Sequence, residues 1–251
     1  MKPIFSFLLL MCVAVLTCGI AQAEVPSRAN NDAFDRYAAE VEARLPRQKA
    51  AFASVHEGQP TLRRMTPDLP PPDLRGAMLH HWQGDFFLPG GRADELQALL
   101  RDVNRFPQRF APQVERATAL PSPPGHLLSV MRLRQHHVLT VVLDGHFDTT
   151  FPAQGYSISR STRVDEIANA GTAGEHSLSD RENHGFLWRQ NTYWLWWERD
   201  GGLYVRLETL SLTRDIPTGL GWAVRPFVES IPRESLAFTL QHVADALRHA
   251  R

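Results

Sequence analysis

Eleven histidines in a chain of 251 residues invite a metal or acid–base reading first. Asp144, His146 and Asp148 alternate, as side chains do along one face of a β-strand. That spacing sets the first and last about 13 Å apart, so the three cannot hold one ion without ligands from elsewhere. A solvated strand face is the plainer expectation. His80-His81 and His136-His137 are adjacent pairs, and strand neighbours point to opposite faces, so neither pair chelates by itself. The chain calls for no metal and no cofactor.

Hydrolase chemistry of the Ser-His-Asp type seats its serine in a strained G-x-S-x-G turn, and the chain has none. Gly219-Leu220-Gly221 lacks the rest of a dinucleotide or phosphate-loop pattern and reads as a corner after Pro217. Arg163, Glu208 and Arg214 are charged residues in strands or at a strand end. Arg163 and Glu208 are expected to pair across an outer sheet face, worth about 0–1 kcal/mol if exposed. A buried Glu208 with a raised pKa would point to acid–base work instead. No catalytic residue is assigned.

Residues 1–23 read as a signal peptide. Lys2 is a basic start, Ile4 to Leu16 an apolar run, and Ala21-Gln22-Ala23 a small-x-small cleavage pattern. The run is shorter than the ~20 residues that span a bilayer, so export to the periplasm or medium is expected. Cys18 offers a lipoprotein alternative, although Val15-Leu16-Thr17 before it departs from the usual pattern. Both cysteines, Cys12 and Cys18, lie in this segment. The mature chain then has no disulfide, thiol nucleophile or thiolate metal site. Its 27 basic and 27 acidic residues become 26 and 27 once Lys2 is removed. That balance, with no basic block, argues against a nucleic-acid partner.

These residues must be held by elements, and the pattern predicts them. Asn31 to Val55 has helical spacing through Phe34, Tyr37, Val41, Leu45 and Phe52, interrupted at Pro46. Residues 56–76, rich in proline, read as a surface linker. Met78 to Leu88 reads as a strand and Arg92 to Phe110 as a helix that Pro107 and Pro112 break. Period-two segments follow over Leu127–His137, His136–Phe151 and Tyr156–Asp165. In the second, Leu139, Val141, Leu143, Phe147 and Phe151 share a face. Ser235 to Arg248 is a helix with Leu236, Leu240, Val243 and Leu247 in register. Consecutive strands with helices at the ends predict an α+β fold with an antiparallel sheet.

The segment His184 to Arg233 carries five of the six tryptophans. Asp200-Gly201 is a strong hairpin signal. A two-residue turn there pairs Arg199 with Gly202, Trp196 with Val205, Trp194 with Leu207 and Thr192 with Thr209. Phe186 and Trp188 then join Trp194 and Trp196 on one aromatic face. Arg189, Asn191 and Tyr193 oppose Glu208, Arg206 and Tyr204 on a mixed, polar one. The indoles either fill a core or, under a covering helix, line an apolar pocket.

LLRDVNRFPQRFAP, SISRSTRVDEI and HGFLWRQNTYWLWWERDGGLYVRLETLSLTRDIPTGLGW, in this element order, resemble the START-like superfamily. This is the polyketide-cyclase and lipid-transport (SRPBCC, helix-grip) superfamily, and the likeness is to its exported, uncharacterised bacterial members. It covers Leu74 to Ala250. The resemblance implies a curved antiparallel sheet gripping a C-terminal helix around an apolar cavity, and a hydrophobic small-molecule ligand. It implies no catalytic residue. Pro226 and Pro232 depart from it, and are expected to split the last helix into Leu220–Glu229 and a main piece.

The expected organisation is a signal peptide at 1–23, a helical arm and Pro-rich linker at 24–73, and a helix-grip domain at 74–251. The expected activity is carriage of a lipid-like or polycyclic molecule, with any membrane contact transient. Phe186, Trp188, Trp194, Trp196, Leu207, Leu236 and Leu240 are the candidate lining, with Arg163 and Glu208 as polar candidates. Two alternatives stay open: cyclase- or hydrolase-like chemistry in the same cavity, and a structural envelope protein with a filled core whose arm docks elsewhere.

Overall fold

The Asp200-Gly201 turn organises the C-terminal half. Both residues take positive φ, 55° and 74°, as a type I′ turn requires. It joins two strands, β8 (Arg189–Arg199) and β9 (Gly202–Arg214). Their register is the predicted one, with Trp196 opposite Val205, Trp194 opposite Leu207 and Thr192 opposite Thr209. The coordinates are a computed structural model describing residues 25–50, 60–67, 71–136, 140–153, 155–216 and 221–249. The expected export segment and the corner at 217–220 lie outside the described residues.

Seven further strands precede the hairpin: β1 (Thr61–Arg64), β2 (Ala77–Pro89), β3 (Val114–Ala119), β4 (His126–His136), β5 (Thr140–Ala153), β6 (Tyr156–Ala168) and β7 (His176–Ser177). The antiparallel sheet runs β1-β2-β9-β8-β6-β5-β4-β3, with β7 paired to β6 off that path. Three strands were not legible as such, the two-residue β7 among them. β1 comes from the supposed linker and closes one edge against β2; β3, six residues of mixed polarity, closes the other.

The helices are α1 (Arg28–Arg44), α2 (Ala93–Arg101), α3 (Phe106–Arg109) and α4 (Gly221–His249). α1 begins at Ser27, whose hydroxyl accepts from the Asn30 amide, and gives way to a 3₁₀ turn at Leu45, next to Pro46. The helix expected over Arg92 to Phe110 is broken as expected, but ahead of Pro107, into two. α2 ends at Asp102, whose backbone leaves the helical region, and Pro107 sits in the first turn of α3, where a missing N–H costs nothing.

The expected split of the last helix is not found, since α4 runs unbroken through both prolines. A proline in a helix interior costs about 3 kcal/mol. Burying Leu236, Leu240, Val243 and Leu247, each at about 1.5–3 kcal/mol, outweighs that and holds the helix on the sheet.

Helices cover both faces of the sheet. On the inner face α4 packs on β2, β9 and β1, with α2 and α3 beside it. On the outer face lies α1, whose Phe34, Ala38, Val41 and Leu45 bury against Leu79, Ile158, Tyr193, Leu195, Leu210 and Leu212. The arm therefore docks on its own sheet rather than elsewhere. Asn30 fastens it by exchanging two 3.1 Å hydrogen bonds with the Arg75 backbone. The architecture is helix-grip: a curved antiparallel sheet holding a C-terminal helix, with an added N-terminal helix behind.

Candidate functional site

Strand parity assigns each side chain to a face. Phe86 and Leu88 of β2 pack with α4 and Leu79 packs with α1, so even residues of β2 face inward. The unbroken β2–β9–β8 register extends this to the odd residues of β9 and the even residues of β8. Gly84 marks where the helix presses on the sheet: a Cβ there would overlap Leu240 Cδ1. That inner face divides along its length. Towards the hairpin it is apolar and closed, and Phe86, Leu88, Leu203, Val205, Leu207, Trp194 and Trp196 form one core with Leu236, Leu240, Val243 and Leu247. Trp194 and Trp196 are only 7% and 4% exposed, so these indoles fill space rather than line an opening.

Away from the hairpin the inner face turns polar, and Thr149, Ser159, Thr192, Thr209, Gln190 and Ser211 there are half-buried. Thr209 lies opposite Thr192, Thr192 opposite Ser159, and Ser159 opposite Thr149, so one row of hydroxyls crosses four strands. Thr149 Oγ1 donates to Ser159 Oγ at 2.8 Å. The next row runs His80, Ser211, Gln190, with Ser161 Oγ accepting the Gln190 amide at 2.8 Å. Beyond them the wing of β4 and β5 adds inward Leu127, Met131, Leu133 and Phe147. Of these Phe147 is buried, whereas Leu127, Met131 and Leu133 are half-buried. The helix packs chiefly on the β1–β2–β9 side, so hydroxyl rows and apolar wing together form the partly open part of the grip.

His80 is the titratable group of that row. It is 5% exposed, and its Nε2 meets Thr213 Oγ1 at 3.1 Å. Burial, with Arg64 adding to it, pushes the imidazole down to about 4, so the ring is neutral at pH 7. His81 points the other way, as its adjacency requires.

The predicted site residues separate. Trp194, Trp196, Leu207, Leu236 and Leu240 come together as expected, but in the closed core. Phe186 is 42% exposed and stands outside the sheet. The strand does not extend back to it because the chain turns at Gly185 (φ 76°) and Glu166 captures the His184 and Phe186 amides. Trp188 also precedes β8 and packs in the cluster under α1. Arg163 is exposed and pairs with Asp165, its next neighbour on the same strand face. It does not meet Glu208.

Glu208 faces outward and is fully buried under α1. His81 Nε2 meets its Oε1 at 2.6 Å, Arg44 of α1 pairs with the same oxygen, and Tyr37 Oη meets His81 Nδ1 at 2.8 Å. Burial pushes the carboxyl up, but the His81 hydrogen bond and the charges of His81 and Arg44 outweigh it and hold Glu208 below its ordinary value. This is the ionic form of a structural pair, the opposite of a raised general acid. Next to it Arg206 makes a two-pronged bond to Asp85 at 2.6 and 3.0 Å, both residues buried. The mixed, polar face is thus a polar core between α1 and the sheet.

The alternating trio also disperses. Arg132 engages Asp144, His126 engages Asp148, and His146 stands 3.9 Å from Asp165. Among the described residues no three His, Cys, Asp or Glu side chains converge as a metal site, and no helix is long and apolar enough to cross a membrane.

No protein-family model and no curated protein matches the chain. Among solved structures it is similar to the Zhui aromatase/cyclase from Streptomyces sp. R1128, at 15% identity over 69% of this chain and 97% of that one, with a TM-score of 0.48. It is similar to a STAR-related lipid transfer protein from Xanthomonas axonopodis, at 17% identity over 74% and 98% of the two chains, TM-score 0.45. Human STARD10 is similar at 8% identity over 77% and 71%, TM-score 0.47.

Proposed function

We propose that this chain is an exported binding protein that carries a hydrophobic small molecule between the inner sheet face and α4. One observation supports this most: the inner face is sealed only towards the hairpin, while Leu127, Met131 and Leu133 remain half-buried on the wing. An apolar molecule laid there gains about 25 cal/mol per Å² buried, before ordering costs. The ligand position shifts from the tryptophans to this wing, because α4 leucines already occupy the indole end. The export pattern in residues 1–23 supports a periplasmic or secreted setting.

Binding rather than turnover is the reading favoured here. His80, the titratable member of the inner rows, is neutral and fixed on Thr213, and Glu208 is committed to an ion pair on the other face. The test is native mass spectrometry of the protein purified from its own host, followed by organic extraction. One hydrophobic molecule per chain is expected, lost in a Met131→Lys variant that still folds. Protein that carries nothing from its host, with Met131→Lys indistinguishable from wild type, would sink the carrier reading.

A further inference from the structure

An arginine faces inward at the edge of the grip without a counter-charge. In β1, Leu62 packs against the core under α4 and Arg63 turns outward to Asp85, so strand parity returns Arg64 to the inner face. Arg64 is exposed there, and among the described residues no side-chain hydrogen bond or ion pair takes up its guanidinium. Its neighbours in the sheet are spent on the outer face, Arg63 and Arg206 on Asp85 and Arg132 on Asp144. Arg101 of α2 is engaged too, 3.7 Å over the Phe151 ring.

Neutral donors gather beside this cation. Arg64 lies opposite Trp82, and His80 is two residues along β2 on the same face, a diagonal that a long side chain can reach. The charge is felt there, since Arg64 helps to push the His80 imidazole down. Ser211 lies opposite His80, and Gln190 opposite Ser211. Both are half-buried, and among the described residues no side-chain hydrogen bond occupies the Ser211 hydroxyl or the Gln190 amide group. His80 Nδ1 makes none either. The Thr213 hydroxyl donates to the Arg214 carbonyl across a long 3.3 Å. Turned instead to His80 Nε2, 3.1 Å away, it leaves the proton of the neutral ring on Nδ1 as a donor. The carboxylates of β2 and β9, Asp85 and Glu208, lie on the other face.

We infer that the ligand is an acidic amphiphile, an apolar body ending in one carboxylate, which pairs with Arg64 at the rim and accepts from Ser211, Gln190 and His80 further in. One arginine matches one negative charge, which favours a carboxylate over a phosphate monoester with nearly two. Exposure of Arg64 keeps the head partly hydrated, so the charge is spared the full cost of burial. The body then runs under α4 towards the wing. From His80 to Phe147 the sheet crosses four strand spacings of about 4.8 Å, or ~19 Å, which sets the length of the body. This rests on the carrier reading and adds the head-group chemistry to it.

The test uses three probes with one body: 1-pyrenebutyrate, 1-pyrenebutanol and 1-butylpyrene, titrated by fluorescence at pH 7.5. The butyrate is expected to bind roughly tenfold tighter than the butanol, the worth of a charge-assisted hydrogen bond. Arg64→Gln, at an exposed edge residue, should abolish that preference and leave 1-butylpyrene unchanged. Ser211→Ala should weaken the butyrate about two- to fivefold, again without touching 1-butylpyrene. Arg63→Gln, one residue away on the outer face, should keep the preference. Butyrate binding no tighter than butanol, a preference that survives Arg64→Gln, or one lost equally in Arg63→Gln overturns the head-group assignment while the carrier reading stands. Binding of none of the three overturns both.

Discussion

Gly84→Ala tests the contact that closes one end of the grip. The added methyl would overlap Leu240 Cδ1 and come within 2.8 Å of Leu62 Cδ2. Two terms oppose each other. Glycine within a strand costs roughly 0.5–1 kcal/mol against alanine, and Gly84 is not in the positive-φ region, so alanine gains that much. Forcing a methyl into a filled core costs about 1–3 kcal/mol. The net expectation is a loss of roughly 0.5–2 kcal/mol. Leu240 is fully buried, so Leu240→Ala alone should cost about 2–5 kcal/mol. In that truncated background only the flexible end of Leu62 still crowds the new methyl and can swing into the space vacated, so Gly84→Ala should become close to neutral. Urea unfolding of the four proteins closes a double-mutant cycle, and a coupling of about 1–3 kcal/mol is expected. Should Gly84→Ala stabilise the native protein, with coupling inside roughly 0.5 kcal/mol, α4 does not rest on β2 at this point and the closed end is misplaced.

Two further outcomes follow from buried charge. The folded His80 imidazole lies near 4 against 6.5, so the unfolded chain alone takes up its proton between those values. Stability should therefore fall as pH drops from 6.5 to 4, by roughly 3 kcal/mol at most, and His80→Gln should flatten the urea midpoint across that window. Glu208, held below its ordinary 4.5, has linkage of the same sign at lower pH: its contribution is complete above that value and lost as pH falls beneath it. Glu208→Gln should cost about 3–5 kcal/mol at pH 7, because Arg44 and His81 lose their carboxylate, and its deficit should shrink in unfolding measured at pH 4.

The hairpin, its register and its parity were legible from residues alone, because a type I′ turn and a period of two are local rules. Asp200-Gly201 suffices to set Trp194 opposite Leu207, and 3.6-residue spacing suffices to set Leu236, Leu240, Val243 and Leu247 along one edge of α4. Tertiary structure decided what lies on each face. Glu208 reads as a surface charge until α1 covers it, and its partners His81 and Arg44 stand 127 and 164 residues away in sequence. Phe186 and Trp188 share parity with Trp194 yet leave its face, because Glu166, on another strand, takes the amides that a longer β8 would need. The hydroxyl rows were invisible for the same reason. Each is assembled from single Ser and Thr residues on separate strands, and only sheet order brings Thr149, Ser159, Thr192 and Thr209 into line. The tryptophans announced the sheet from the sequence, but the packing of α4 assigned Trp194 and Trp196 to its core and left the proposed site to residues with no signal of their own.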